Sequence, residues 1–162
     1  MLSKAMEEAL NKQVNAELYS SYLYLAMAAD FESKNLPGIA HWLKAQAREE
    51  YGHAMKIYEH INDRLGRARL AAIAAPPAEW ASPLAAFEAV LAHERKVTGL
   101  INGLVELAAQ EKDHATGIFL QWFVTEQVEE EKSADAIVAQ LKMIGESAHG
   151  LIMLDRALAQ RS

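Results

Sequence analysis

Four glutamates of this chain, Glu17, Glu50, Glu94 and Glu130, each interrupt a stripe of apolar residues spaced in steps of three and four. The first stripe reads Leu10, Val14, Glu17, Ser21, Tyr24, Ala28, and the second Ile39, Trp42, Gln46, Glu50, His53, Ile57. The third reads Phe87, Leu91, Glu94, Thr98, Ile101, Val105, and the fourth Leu120, Phe123, Gln127, Glu130, Ala134, Val138, Leu141. That spacing keeps each set on one helical face, the face a helix turns toward a core. His53 follows Glu50 by three and points the same way, and Gln127 precedes Glu130 by three. Carboxylates gathered in a low-dielectric interior lose hydration and repel one another. They either take up protons or hold a multivalent cation that offsets both costs. Oxygen donors with one imidazole suit iron or manganese. A single Glu on such a stripe reaches water along its stem, and a lone E-x-x-H arises by chance on any helix. One Glu on each of four stripes, with the i+3 His, points to a metal site inside a bundle.

A second acidic group comprises Glu49, Glu126 and Glu129, beside Glu50 and Glu130. Spacing alone fits a further cation site and a solvated acidic face equally well, the run Glu129–Glu130–Glu131 favouring the latter. Tyr24, two turns beyond Glu17, reads as a core aromatic with a bonded hydroxyl or as a redox participant. His60 shares the face of His53 and reads as a hydrogen-bonded core histidine.

Five helices are expected to position these groups. The first runs from about Ser3, its N-cap, to Glu32, and Asn35–Leu36–Pro37–Gly38 forms the first connection. The second runs from Pro37 to about Leu65, with Gly66 expected as its C′ residue. The third starts at Ser82–Pro83, a cap followed by an N1 proline, and ends near Gln110. The fourth covers Asp113 to Ile144, where Gly145 breaks it. A short fifth helix covers about Glu146 to Ala159, with Leu151, Leu154 and Leu158 on one face. The expected fold is all-α: one domain over residues 1–162, with a four-helix bundle over 1–145 and a C-terminal helix in 146–162. The short first and third connections make antiparallel hairpins. The segment from Gly66 to Ser82 spans about 50 Å at ~3.3 Å per residue. A helix of roughly 28 residues is about 42 Å long. This link therefore crosses the whole bundle, the single-crossover arrangement.

Composition narrows the chemistry. With 162 residues, 51% of them hydrophobic, the chain can bury a substantial core. The net charge of −6 argues against a nucleic-acid surface and suits the attraction of cations. The absence of cysteine excludes disulfides, iron–sulfur clusters and thiolate zinc sites, so a transition metal must use carboxylate and imidazole. No apolar run of about 18 residues occurs, so no membrane span is expected. The start, MLSKAMEEALNKQV, reads as an amphipathic helix rather than a secretory signal, and a cytoplasmic location is expected.

The segments AELYSSYLYLAMA, REEYGHAMK, PPAEW, EKDHATGIFLQWFVTEQVEEE and LDRALAQR together make the whole chain resemble the non-haem ferritins of bacteria and archaea. The resemblance implies that Glu17, Glu50 and His53 bind a first iron and that Glu50, Glu94 and Glu130 bind a second, Glu50 bridging. It implies a third iron at Glu49, Glu126, Glu129 and Glu130, with Gln127 a polar neighbour of the pair and Tyr24 the site tyrosine. It further implies a cage of twenty-four identical subunits whose fifth helices line the four-fold axes. In that cage Fe(II) is oxidised by O2 or H2O2 and stored as a ferric mineral. Haem is not expected: haem-binding relatives carry a second E-x-x-H on the fourth helix and a Met after the second-helix Glu, where this chain has Gln127 with Glu130, and Tyr51. Where animal relatives carry acidic residues along a three-fold funnel, the matching region here offers Gly117, Leu120 and Gln121. Two alternatives share the bundle: a di-iron oxygenase acting on an organic substrate, and a non-catalytic structural cage.

Overall fold

The computed structural model describes all residues from Met1 to Ser162. Helices α1 (Lys4–Ser33), α2 (Pro37–Asp63), α3 (Pro83–Gln110), α4 (His114–Ile144) and α5 (Ala148–Leu158) are joined without any strand. The expected boundaries hold to within two residues, because the start signals act locally. Ser3, Ser82, Asp113 and Ser147 each accept, through their side chains, a hydrogen bond from the backbone N–H three residues on. Each thereby satisfies one otherwise unpaired donor of a helix start.

The helix ends depart from expectation at one point. Gly66 is not the left-handed residue; Leu65 is, with φ 60°. The bonds from Gly66 N to Ile61 O and from Leu65 N to Asn62 O, both 2.9 Å, place Arg64 at the C-cap and Leu65 at C′. Asn35 and Lys112 take the same conformation after α1 and α3. Space at Gly66 is tight: a Cβ there would lie 3.0 Å from Glu7 Oε2 and 3.1 Å from Ile61.

Helices α1 and α2 form one antiparallel hairpin, α3 and α4 the other, and α1 also contacts α3. The crossover between α2 and α3 has no regular structure, yet side chains of α1 hold it near both of its ends. Asn11 donates to Arg67 O (3.0 Å) and accepts from Arg69 N (2.6 Å). Asn15 donates to Ala72 O (3.1 Å). Near the other end of α1, buried Asp30 accepts from Trp80 N (3.1 Å) and from Lys34 Nζ (2.6 Å), which also donates to Trp80 O. The link therefore traverses the bundle as its length requires.

Helix α5 docks on its own bundle, against α2 and α4. Leu154 is buried, while Leu151 and Leu158 are half-buried against the same core. Asp155, itself buried, accepts from Ile39 N at 2.8 Å. The N-cap position of α2 is Leu36, whose side chain cannot cap, so α5 supplies the missing acceptor. Gly38 makes this approach possible, since a Cβ there would sit 1.7 Å from Asp155 O. Ile152 and Met153 remain exposed on the outer face of α5. No helix is long and apolar enough to cross a membrane.

Two apolar clusters fill the bundle. One contains Tyr24, Met27, Phe31, Leu43, Phe87 and Val138; the other contains Met6, Leu10, Ile57, Ile101, Leu120 and Phe123. The interior between them is polar.

Candidate metal centre

All four helices of the bundle contribute to this polar layer. Glu17, Glu50 and Glu94 are each 1% exposed, His53 is 5% and Glu130 is 6%. Carboxylates at this depth do not reach water along their stems, which disposes of the surface reading for all four. They are placed here because each occupies the core-facing register of an otherwise apolar helix, and the helices bring those registers to one level.

Ligand-competent atoms fall into three sets. Glu17, Glu50 and His53 form one, and Glu50, Glu94 and Glu130 another; within each, the donor atoms lie within 4.8 Å of one another. Glu50 belongs to both, so one carboxylate is shared by the two sets. The third set, by the same criterion, is His53, Glu126 and Glu130. It shares a residue with each of the others and reaches the surface through half-buried Glu126. Glu49 and Glu129 are exposed and belong to none of these sets. Glu49 instead meets Arg161 Nη2 at 2.7 Å. The structure thus brings the inner ligands together, and one member of the outer acidic group with them.

The layer's other polar groups hold the carboxylates in orientation. Gln13 Nε2 donates to Glu17 Oε1 at 2.7 Å. Gln46 Nε2 donates to Glu50 Oε1 (3.1 Å) and Glu130 Oε2 (2.6 Å), spanning α2 and α4. Gln127 Nε2 lies 3.2 Å from Glu94 Oε2 and from the Glu94 carbonyl. The Tyr24 hydroxyl donates to Glu94 Oε1. His53 Nδ1 lies 3.2 Å from Glu50 Oε2, and the edges of Trp122 and Phe123 confine its ring. Gln13 lies outside the sequence-level site. Its signal was present, one turn before Glu17 on the same face, but a glutamine there also fits a helix surface.

Electrostatics explain what the layer requires. Burial, and next the charge of Glu50, pushes Glu17 well above the usual carboxylate range. Burial, with the charges of Glu94 and Glu130, does the same for Glu50. Burial raises Glu94 against the pull of its bonds from Tyr24 and Gln127. Burial and the Glu94 charge push Glu130 up to about 7. Tyr24 is also raised, first by burial and then by Glu94, so its hydroxyl keeps its proton. The raised carboxyls hold protons more tightly than free ones do, and a cation among them would compete with those protons. Glu17 Oε2 and Gln46 Oε1 are buried without a hydrogen-bond partner in the protein. The unpaired oxygen of Glu17, in the set with Glu50 and His53, leaves a lone pair free for a ligand, and the donor set fits a hard divalent or trivalent ion.

An all-helical bundle with one long crossover and a carboxylate–imidazole layer at mid-height defines the ferritin-like class of metal-binding bundles. Residues 7–144 match the ferritin-like domain. A bacterial non-heme ferritin of Bacteroides fragilis (strain 638R) is 45% identical over 161 residues, covering 99% of this chain and 100% of that protein. One from Staphylococcus aureus (strain USA300) is 40% identical over 162 residues, covering 100% and 98%. Among solved structures, an open pore ferritin from the hyperthermophilic archaeon Archaeoglobus fulgidus superposes with a TM-score of 0.99 at 53% identity, covering 100% of both chains. A closed form of the Archaeoglobus fulgidus ferritin, engineered by site-directed mutagenesis, gives 0.99 at 54%, covering 100% and 99%. The chain belongs to the ferritin family and is an iron-storage subunit of it.

Proposed function

We propose that the polar layer is a di-iron ferroxidase centre. Glu17, Glu50 and His53 hold the first Fe(II), and Glu50, Glu94 and Glu130 the second, with Glu50 bridging. The observation that carries this reading is the pair of ligand sets that share Glu50. Two adjacent irons deliver two electrons to one oxidant molecule. With O2, two Fe(II) and two protons give two Fe(III) and H2O2; with H2O2, two Fe(II) and two protons give two Fe(III) and two waters. Anionic oxygen donors favour Fe(III) over Fe(II), which drives the oxidation. Burial raises Glu17, Glu50 and Glu130, so protons compete with iron for their oxygens and iron binding strengthens as pH rises. Gln13, Gln46 and Gln127 orient the carboxylates, and Tyr24 fixes Glu94. Glu126, with Glu130, Glu49 and Glu129, forms a third, outer iron position. It takes product iron from the pair toward storage.

The chain works in the cytoplasm as a cage of twenty-four identical subunits. Exposed apolar side chains on several faces support assembly: Tyr22 and Leu25 on α1, Val124 and Val128 on α4, and Ile152 and Met153 on α5. The similarity to an open pore ferritin and to its engineered closed form raises the same choice of pore for this cage. Fe(II)-dependent O2 uptake and light scattering, measured together on the wild type and Glu50→Ala, test the proposal. A particle of unchanged size that has lost rapid uptake supports it. Uptake at the wild-type rate in the variant removes the assignment.

A further inference from the structure

The last residues of the chain reach the outer acidic group. Arg161 Nη2 meets Glu49 Oε2 at 2.7 Å, and its Nη1 donates to the Trp42 carbonyl at 3.2 Å. The guanidinium lies over the Trp42 ring, 4.4 Å from its centroid. His41 Nε2 donates to the Arg161 carbonyl at 2.6 Å. Asp155 on Ile39 N, over Gly38, fixes the helix that delivers this tail. Every anchor lies on α2, the helix that carries Glu50 and His53. Trp42 and Glu49, seven residues apart, share a face, and the guanidinium spans them. Arg161 is held more firmly than a surface arginine: its side chain is 20% exposed while its partner Glu49 is 48% exposed. Glu49 in turn lies near enough to Glu130 for its charge to raise that carboxyl.

We propose that Arg161 is the resident counter-cation of the outer iron position: it holds Glu49 away from the metal and sets how tightly that position binds. The inference rests on the reading of Glu49, Glu126, Glu129 and Glu130 as an iron position. A planar guanidinium pairs with a carboxylate and stacks on an indole at once, so it competes for Glu49 as a point charge would not. A cation arriving from the inner pair recruits Glu49 only by releasing Arg161. Release frees the tail and uncovers the Trp42 ring. The competition keeps outer binding weak and reversible, which suits a transit position, and leaves the inner pair untouched. Arg161 is a positioning residue; it touches neither iron nor oxidant.

Zn(II), which has no redox chemistry, serves as the probe in calorimetric titrations of the assembled, iron-free protein near neutral pH. The wild type is expected to bind three Zn(II) per chain, the third most weakly. Arg161→Gln is expected to tighten only the third step, by about three-fold, the scale of a partly exposed ion pair. Arg161→Lys, a point charge that cannot pair and stack at once, should restore only a minor part of the wild-type value, and raising the salt should narrow the gap between Arg161→Gln and wild type. In a chain carrying Trp80→Phe and Trp122→Phe, which retains Arg161, Trp42 emission should change with the third equivalent. An unchanged third step in Arg161→Gln, with Trp42 emission indifferent to it, overturns the role of Arg161 and leaves the outer position standing. A stoichiometry of two in every variant removes the outer position and this inference with it.

Discussion

Replacing Glu130 by glutamine separates the electrostatic cost of the carboxylate layer from its packing. The amide has nearly the shape of the carboxyl, and its oxygen still accepts from Gln46 Nε2, now 2.6 Å from Glu130 Oε2. Burial and the charge of Glu94 raise the Glu130 carboxyl from its ordinary 4.5 to about 7. Between those values the folded chain binds more protons than the unfolded one, so the metal-free wild type loses stability as pH rises through this window and levels off above it. That difference is worth on the order of 3 kcal/mol, at about 1.36 kcal/mol per pH unit. Glutamine does not titrate. Glu130→Gln should therefore match the wild type below pH ~4.5, exceed it by about 1 kcal/mol at pH ~5 and about 2 at pH ~6, and reach about 3 by pH ~8. At about 2–4 °C per kcal/mol the gap in unfolding temperature at the upper end is about 10 °C. Thermal unfolding of chelator-treated protein across this range measures it. A gap that is independent of pH, or that closes as pH rises, would refute the reasoning. Zn(II) should reverse the order, because only the wild type offers the full second ligand set.

Three further outcomes follow from the structure. Asp155→Ala leaves the buried Ile39 N–H without its acceptor and undocks α5, and should cost about 2 kcal/mol, seen as a fall of about 5 °C in unfolding temperature. Leu65→Gly relieves a left-handed residue whose side chain is 80% exposed and should gain about 1 kcal/mol in denaturant unfolding. The double substitution Glu126→Gln, Glu129→Gln should change the Fe(II)-to-O2 ratio more than the initial rate of oxidation, and an oxygen electrode with stepwise Fe(II) additions resolves the two.

Much of this architecture was legible because its signals are local. Ser3, Ser82–Pro83, Asp113 and Gly145 mark helix ends by residue type, and the stripes name the core faces. The candidate inner ligands stood out because ionisable residues on an apolar face have few uses. What escaped depends on chain segments distant in sequence. Asp155 caps a helix that begins 118 residues earlier, at Pro37, and the choice of Gly38 makes sense only with α5 lying on it. Arg161 and Glu49 are 112 apart, and nothing in either neighbourhood announces the pair. Leu65 carries the left-handed turn although Gly66 follows it, because the end of α2 sets the position, and Gly66 packs closely against Glu7 and Ile61. The stripe of Leu151, Leu154 and Leu158 fitted docking on its own bundle or on a neighbour. The structure places it on its own bundle and leaves Ile152 and Met153 facing outward.

Anomalous diffraction at the iron edge, from crystals grown without metal and soaked anaerobically in Fe(II), tests the central claim most directly. Two iron peaks per chain are expected in the layer between the two apolar clusters, one among Glu17, Glu50 and His53 and one among Glu50, Glu94 and Glu130, with Glu50 touching both. Iron found only at exposed carboxylates, with the layer's four glutamates still hydrogen-bonded to Gln13, Gln46 and Gln127, would contradict it.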